Sequence, residues 1–471
     1  MDDARRRKLE RKIPAWAGTD IEVPSGLNLE QCSSTATARY KAAVALRHIL
    51  SVGTSASPSG QAGGVVADLT GGLGVDAYEF CAVARKVLYN DRDKALAEAV
   101  GRNFERLGVR NLEIMSSEVC ASPRGDALLD GAIRNRLRGL QPDLIYLDPA
   151  RRDAGGRKVF LPEDCSPDVL ALLPELLALA PLLMVKFSPM MDITLLRRRL
   201  VERANEVIGR NCLKEIHVVG AEGECKELLA VLARDYSGEP ELILHENGRI
   251  LRASDLAGSA SAHDNGSSSR VASGSGNYCT GGAASGNGNC CARWAASDSG
   301  NCSTGGAASD SGNCCTGGAA SDSGDGRAGG SSSGCVGAYR AEDGVCADQS
   351  ATLLFEPSAA LLKSGLDAAL AATVPQCRKL DRFTHLYYVG APADRICAFG
   401  RLFEIVEELP LDKAGIKAAA KAYPEADVSA RNVPLTSEQL RSRLGVRPAA
   451  DIHIFGCTAA GERKLIVCRR R

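Results

Sequence analysis

The 471-residue sequence carries no net charge, with 57 Lys and Arg against 57 Asp and Glu. The chain as a whole therefore has no long-range pull towards nucleic acid, which leaves only local basic patches to supply one. No apolar segment follows the charged opening MDDARRRKLERK, so no secretory signal is expected and the chain is read as cytoplasmic. A membrane span is not expected either. The most apolar stretch, VLALLPELLALAPLLMVKF at 169–187, is broken by Pro174, Glu175 and Pro181 and reads as a buried helix leading into a buried strand. Short CxxC knuckles are missing too. Of the 18 cysteines, seven (279, 290, 291, 302, 314, 315 and 335) fall in one biased stretch where His263 is the only histidine, so no metal site is expected. The others read as reduced thiols, mostly small buried hydrophobes.

That biased stretch, about 258–334, is built from near-repeats such as GNCSTGGAASDSG. With almost no branched or aromatic residue to bury, its ordering would cost chain entropy for little return, and a disordered insertion is expected. The length allows two or three domains. The chain divides into a mainly helical N-terminal region (1–60), an α/β domain (61–252), the insertion (258–334) and an α+β region (345–471).

In the α/β part, VVAD ends a strand at Asp68, TGGLG makes a turn, and DAYEFCAVAR reads as a helix. KVLYND is a second strand ending at Asp91. DKALAEAVGRNFERLG is a helix stopped at Gly108. NLEIMSSE, PDLIYLDPAR, LLMVKFSP and EIHVVG supply four more strands, with a helix near 192–206. Such alternation means a mostly parallel sheet covered on both faces, with ligands beyond the carboxyl ends of the strands. Asp68, Asp91, Glu118 and Asp148 all fall at or near such ends.

The turn lacks the GxGxxG spacing, and no GKS or GKT makes a P-loop. An acid at 68, just before the glycines, would repel a pyrophosphate, which disfavours a dinucleotide and suits a ligand carrying an amine. Asp91, about 20 residues on, stands where an acid accepts from a ribose diol. S-adenosylmethionine satisfies both. Gly71, Gly72 and Gly74 then allow close backbone approach. The bland alternatives are that Asp68 caps the turn and Asp91 is a surface acid.

These residues carry a resemblance. The region resembles class I S-adenosylmethionine-dependent methyltransferases: DLTGGLG (68–74) matches the glycine-rich first motif, YND (89–91) the ribose-binding acid, SSE (116–118) the adenine contact through Glu118, and LDPAR (147–151) the motif after strand four. KFSPMMD (186–192), VVGAEGECKELL (218–229) and the C-terminal region resemble a bacterial methyltransferase family with a THUMP-like domain. The resemblance implies a Rossmann-like domain that binds S-adenosyl-L-methionine.

On the target side, the family loop reads Asp or Asn, Pro, Pro and an aromatic in enzymes that methylate amino groups. Asp148-Pro149-Ala150-Arg151 has neither the second proline nor the aromatic, and Cys165 has no nucleophile context. Asp148 is the expected acceptor for an exocyclic amine. Arg151 and Arg152 either clamp a phosphate or orient a base, or belong to a solvated loop. Lys186 needs solvent or a partner at the end of its strand, and Asp148 is the expected one. In some ribose 2′-O-methyltransferases a lysine here helps activate the hydroxyl; the rest of that polar array is not evident in the sequence. Ser188 and Asp192 are expected at the same mouth, and the N-terminal region is expected near it, with Gln31, Ser33, Ser34 and Thr35 as its polar residues.

The second part reads as a small α+β module. Arg431, Arg441, Arg443 and Arg447 gather around one helix, and Arg469 to Arg471 end the sequence. They form either a stripe for a phosphate backbone or a solvated face. The resemblance favours RNA, rRNA or tRNA, with methylation of a base as the expected reaction. The alternatives are a protein or small-molecule substrate, or a non-catalytic RNA-binding scaffold with a vestigial pocket.

Overall fold

The computed structural model describes residues 3–52, 63–120, 129–150, 161–260, 353–390 and 393–471. Arg151, Arg152 and the biased segment beyond residue 260 lie outside them.

Mostly buried strands, rich in apolar residues, and the half-exposed edge strand β3 form the first sheet: β1 (Val65–Asp68), β2 (Lys86–Asn90), β3 (Leu112–Met115), β4 (Leu144–Leu147) and β5 (Leu182–Phe187). They pair in parallel in the order β3-β2-β1-β4-β5. Beyond them lie β6 (Leu213–Ala221), β7 (Glu224–Ala233), β8 (Glu241–Glu246) and β9 (Arg249–Arg252). The Glu222-Gly223 turn, both residues at positive φ, folds β7 back so that it inserts antiparallel between β5 and β6. The sequence reading contains the other six of the first seven strands but not β7. The sheet is thus mostly parallel, as expected, and its order reverses between β1 and β4, the position beyond whose strand ends such sheets bind their ligands.

Three helices precede the sheet: α1 (Asp3–Lys12), α2 (Gly26–Gln31) and α3 (Thr35–Ser51). Its crossovers carry α4 (Val75–Val83), α5 (Lys94–Arg106), α6 (Gly131–Leu140), α7 (Val169–Leu179) and α8 (Ile193–Ile208); α9 (Ala253–Ala260) follows β9, and its last three residues fall within the expected insertion. Helix α5 starts where the Asp93 side chain accepts from Leu96 N, and ends at Gly108, whose φ is +74°. Pro174 inside α7 cannot donate to the Leu170 carbonyl. The Arg203 Nε of α8 does so instead, at 2.9 Å, and the helix continues.

The N-terminal region is packed onto this domain. Trp16 is fully buried, edge-on to Tyr78 (5.7 Å) and Phe104 (6.4 Å). Further along, Glu215 of β6 takes a two-pronged bond from Arg47 (2.7 and 2.9 Å) and contacts His48 Nε2 (2.8 Å) and His217 Nε2 (2.9 Å). Tyr40 meets His217 Nδ1 at 2.7 Å. These contacts fasten α3 to the sheet.

The second sheet comprises β10 (Leu353–Pro357), β11 (Arg378–Asp381), β12 (Thr384–Val389), β13 (Gly400–Pro410), β14 (Asp427–Arg431), β15 (Ile452–Ala459) and β16 (Glu462–Arg470), ordered β11-β12-β10-β13-β16-β15-β14. Only β14 and β15 among these pair in parallel. Helices α12 (Lys413–Ala422) and α13 (Ser437–Leu444) cover one face through Ala419, Leu440 and Leu444. The short α10 (Ala359–Ser364) and α11 (Asp367–Ala372) follow β10, and Ala359 N donates to Gly223 O at 3.2 Å, joining the two sheets.

Candidate active site

The glycine turn lies beyond the carboxyl end of β1. Gly71 admits no side chain, because a Cβ there would lie 2.0 Å from the Tyr89 ring. Tyr89 closes over the turn and donates to Gly72 O at 2.6 Å. Gly72 and Gly74 take φ of +55° and +84°, and a Cβ on Gly72 would meet nothing within 4 Å, so that residue faces open space. Its N–H donates to Asp91 Oδ2 at 2.9 Å, while Asp91 Oδ1 accepts from Asp93 N at 2.8 Å. The turn and the expected ribose acid are therefore one unit.

Asp68 is wholly buried. Its Oδ1 accepts from Thr70 N at 3.1 Å, but Oδ2 has no hydrogen-bond partner among the described residues. Burial and the neighbouring carboxylates of Asp76, Asp148 and Asp91 push its pKa well above the usual range. Thr70 also links this side to the next, since its Oγ1 accepts from Asp148 N at 2.6 Å.

Asp148 lies just past β4 and pairs with Lys186 at the end of β5, as expected. Around Lys186 stand two acids that the sequence reading did not single out. Asp76, in the first turn of α4, and Glu227, on β7, share the ammonium of Lys41 at 2.9 and 3.1 Å. Lys41 comes from α3, is completely buried, and also donates to Ser33 Oγ at 2.7 Å. Ser33 in turn donates to Asp76 Oδ2 at 2.9 Å, and so does the Tyr146 hydroxyl at 3.1 Å. In the β5–β7 register Lys186 faces Leu229, so Glu227, two residues away, shares its side of the sheet.

The electrostatics match the geometry. Burial alone would raise the Asp76 pKa, but Lys41 and Lys186 hold it below the usual range. Burial alone would lower that of Lys186, but Asp148, Glu227 and Asp76 outweigh it and keep the side chain an ammonium. The cluster has a reachable rim and a closed back: the Asp148 side chain is 33% exposed and that of Lys186 15%, whereas that of Lys41 is 0%. Lys41 left one signal in the sequence, a lysine on the same helical stripe as the buried Ala38, Ala42 and Ala45.

Other expected residues fall elsewhere. Glu118 is exposed, in a loop tied to β2 by two bonds between Asn90 and Ser117, each 3.0 Å. Asp192 caps α8, accepting from Leu195 N at 2.7 Å, and Ser34 caps α3. Cys165 is buried, which pushes its thiol up to about 11. In the C-terminal region most of the named arginines have acid partners: Arg431 with Glu356 (2.8 Å), Arg441 and Arg470 with Asp427 (3.2 and 3.4 Å), and Arg447 with Glu425 (2.7 Å). The stripe thus carries less net charge than its arginines suggest. Among the described residues no group of three or more His, Cys, Asp or Glu could hold a metal, and no helix is long and apolar enough to cross a membrane.

Residues 400–470 match a family model described as THUMP domain-like. No curated protein matches the chain in sequence. Among solved structures, the chain is similar to a candidate methyltransferase from Porphyromonas gingivalis W83, at 23% identity and a TM-score of 0.66, covering 99% of this chain and 88% of that one. A candidate RNA methyltransferase from Pyrococcus horikoshii matches at 19% identity, over 41% of this chain and 79% of that one, with a TM-score of 0.26. The ribosomal protein L11 methylase of Lactobacillus delbrueckii subsp. bulgaricus matches at 15% identity, over 43% and 79%, also at 0.26. Scores that low carry no argument. The chain has a Rossmann-like α/β fold resembling class I S-adenosylmethionine-dependent methyltransferases, with a distinct α+β THUMP-like region on its C-terminal side.

Proposed function

We propose that this protein is an S-adenosylmethionine-dependent methyltransferase acting on structured RNA. The observation that carries the cofactor is Asp68, a buried acid with an unpaired oxygen at the strand-order reversal, beside a glycine turn that ends on Asp91. Asp68 would accept from the methionine amine, Asp91 from the ribose hydroxyls, and the backbone at Gly72 would lie against the ligand. When bound, S-adenosylmethionine supplies an activated methyl group on a sulfonium. The chain's own work is to hold the acceptor in line and to take its proton. Asp148 and Lys186 pair with side chains 33% and 15% exposed, so an acceptor could reach them.

RNA is supported by the THUMP-like region and by the exposed arginines Arg443, Arg469 and Arg471. The test is calorimetric titration of S-adenosylmethionine into the full chain, followed by methyl transfer from labelled cofactor to bulk RNA. Saturable binding with label in the RNA is the expected result. Label in added protein instead of RNA would replace the RNA reading with the protein-substrate one, and no binding, with or without RNA, would remove the enzymatic reading.

A further inference from the structure

The acceptor side holds more charge than transfer to an exocyclic amine requires. Such an amine attacks as a neutral group and needs one acceptor for its proton, together with a surface on which its base can stack. Here Asp148 is already engaged by an ammonium, and the motif carries Arg151 where a stacking ring would stand. Behind that pair the chain has buried a second lysine and two further acids, Asp76 and Glu227. Burying such groups is costly unless they are used or fully paired, and Glu227 Oε1 has no hydrogen-bond partner among the described residues.

A hydroxyl acceptor gives this arrangement a use. A neutral hydroxyl is a poor nucleophile, and its oxygen gains negative charge as the proton leaves. An ammonium beside it stabilises that charge, and a carboxylate within reach accepts the proton. We propose that the methyl acceptor is a hydroxyl, which on the RNA reading above is a ribose 2′-hydroxyl, held between Asp148 and Lys186 and backed by Lys41, Asp76 and Glu227. The hydroxyl oxygen attacks the methyl carbon; the carbon–oxygen bond forms as the carbon–sulfur bond breaks, and the sulfonium leaves as a neutral thioether. The hydroxyl proton passes to the Asp148 carboxylate, and Lys186 donates to the oxygen throughout. Asp148 and Lys186 are the catalytic residues.

Lys41 is a positioning residue. It touches neither rim nor solvent, and it clamps Asp76 and Glu227 so that both face Lys186. That clamp fixes where the Lys186 ammonium sits while leaving one of its protons for the acceptor.

The decisive measurement uses the wild-type full chain, labelled S-adenosylmethionine and bulk RNA, followed by alkaline hydrolysis of the product. A methylated 2′-oxygen cannot attack its neighbouring phosphate, so the label is expected in alkali-stable dinucleotides. Label in mononucleotides means a methylated base; it overturns the hydroxyl proposal and leaves the RNA methyltransferase reading standing. Binding of S-adenosylmethionine with no label in RNA overturns the proposal as well, whereas no binding at all is the failure of the earlier reading. Lys186→Met is expected to lower kcat by about 100- to 1000-fold with cofactor affinity retained. For Lys41, the Met variant is expected to lose kcat at little cost in KM, with partial rescue by Lys41→Arg. A Lys41→Met variant that loses only thermal stability, with kcat intact, overturns the positioning role.

Discussion

Replacing Asp68 by Asn removes one proton-binding group and little else, since the amide oxygen can still accept from Thr70 N, a bond of 3.1 Å in the native protein. In the unfolded chain this carboxyl titrates near about 3.9. In the folded chain, burial and the nearby acids keep the proton on to much higher pH. Between those two values the folded state binds more protons than the unfolded state, so wild-type stability falls as pH rises, by about tenfold in the folding equilibrium per pH unit. Across that window wild type loses stability that Asp68→Asn does not lose. Urea unfolding at pH 4, 5 and 6 should therefore show two proteins that start nearly equal and diverge, the variant becoming the more stable. Cofactor binding should move the other way, weakening by about 10- to 100-fold, the worth of a hydrogen bond to a charged group. Parallel stability curves would refute the claim that Asp68 holds a proton in the fold. Undiminished binding of S-adenosylmethionine would refute its role as acceptor.

Gly71→Ala must push Tyr89 off the turn, because its Cβ would sit 2.0 Å from the ring; a loss of about 1–3 kcal/mol in urea titration is expected, together with weakened cofactor binding. Arg203→Ala strands the Leu170 carbonyl left free by Pro174, and should cost about 1 kcal/mol in the same assay. Glu215 is held ionised below its usual range by its bonds to His217, His48 and Arg47, which outweigh burial, so the stability it adds is present above about pH 4.3 and is lost as pH falls towards the folded-state value. Burial lowers the His217 pKa, which costs further stability on acidification below about pH 6.5. Glu215→Gln should flatten the acid side of the pH–stability curve, read by thermal unfolding at pH 4–7.

The unit that joins Asp68, the glycine turn and Asp91 was legible in the sequence because it is local. Asp68, the glycines and Asp91 fall within one strand–turn–helix–strand unit, and parallel strands place their acids along one edge. The Asp148–Lys186 pair was also legible, since Asp148 lies just past β4 and Lys186 at the carboxyl end of β5. Lys41 and Glu227 were not. They are 186 residues apart, and what joins them is β7 returning into the sheet beside β5, a strand order that periodicity does not encode. The arginine stripe misled in the other direction: residue type showed the charge, but not the acids from β10 and β14 that neutralise much of it.

The Lys41–Glu227 clamp also sets a timetable for biosynthesis. A ribosome releases Asp68, the glycine turn and Asp91 well before Lys186, and Glu227 later still. The nascent chain thus has the whole Asp68–glycine–Asp91 unit before it has the last member of the lysine–acid cluster. Closing that cluster requires helix α3 to wait, through most of the domain's synthesis, for a partner 186 residues downstream.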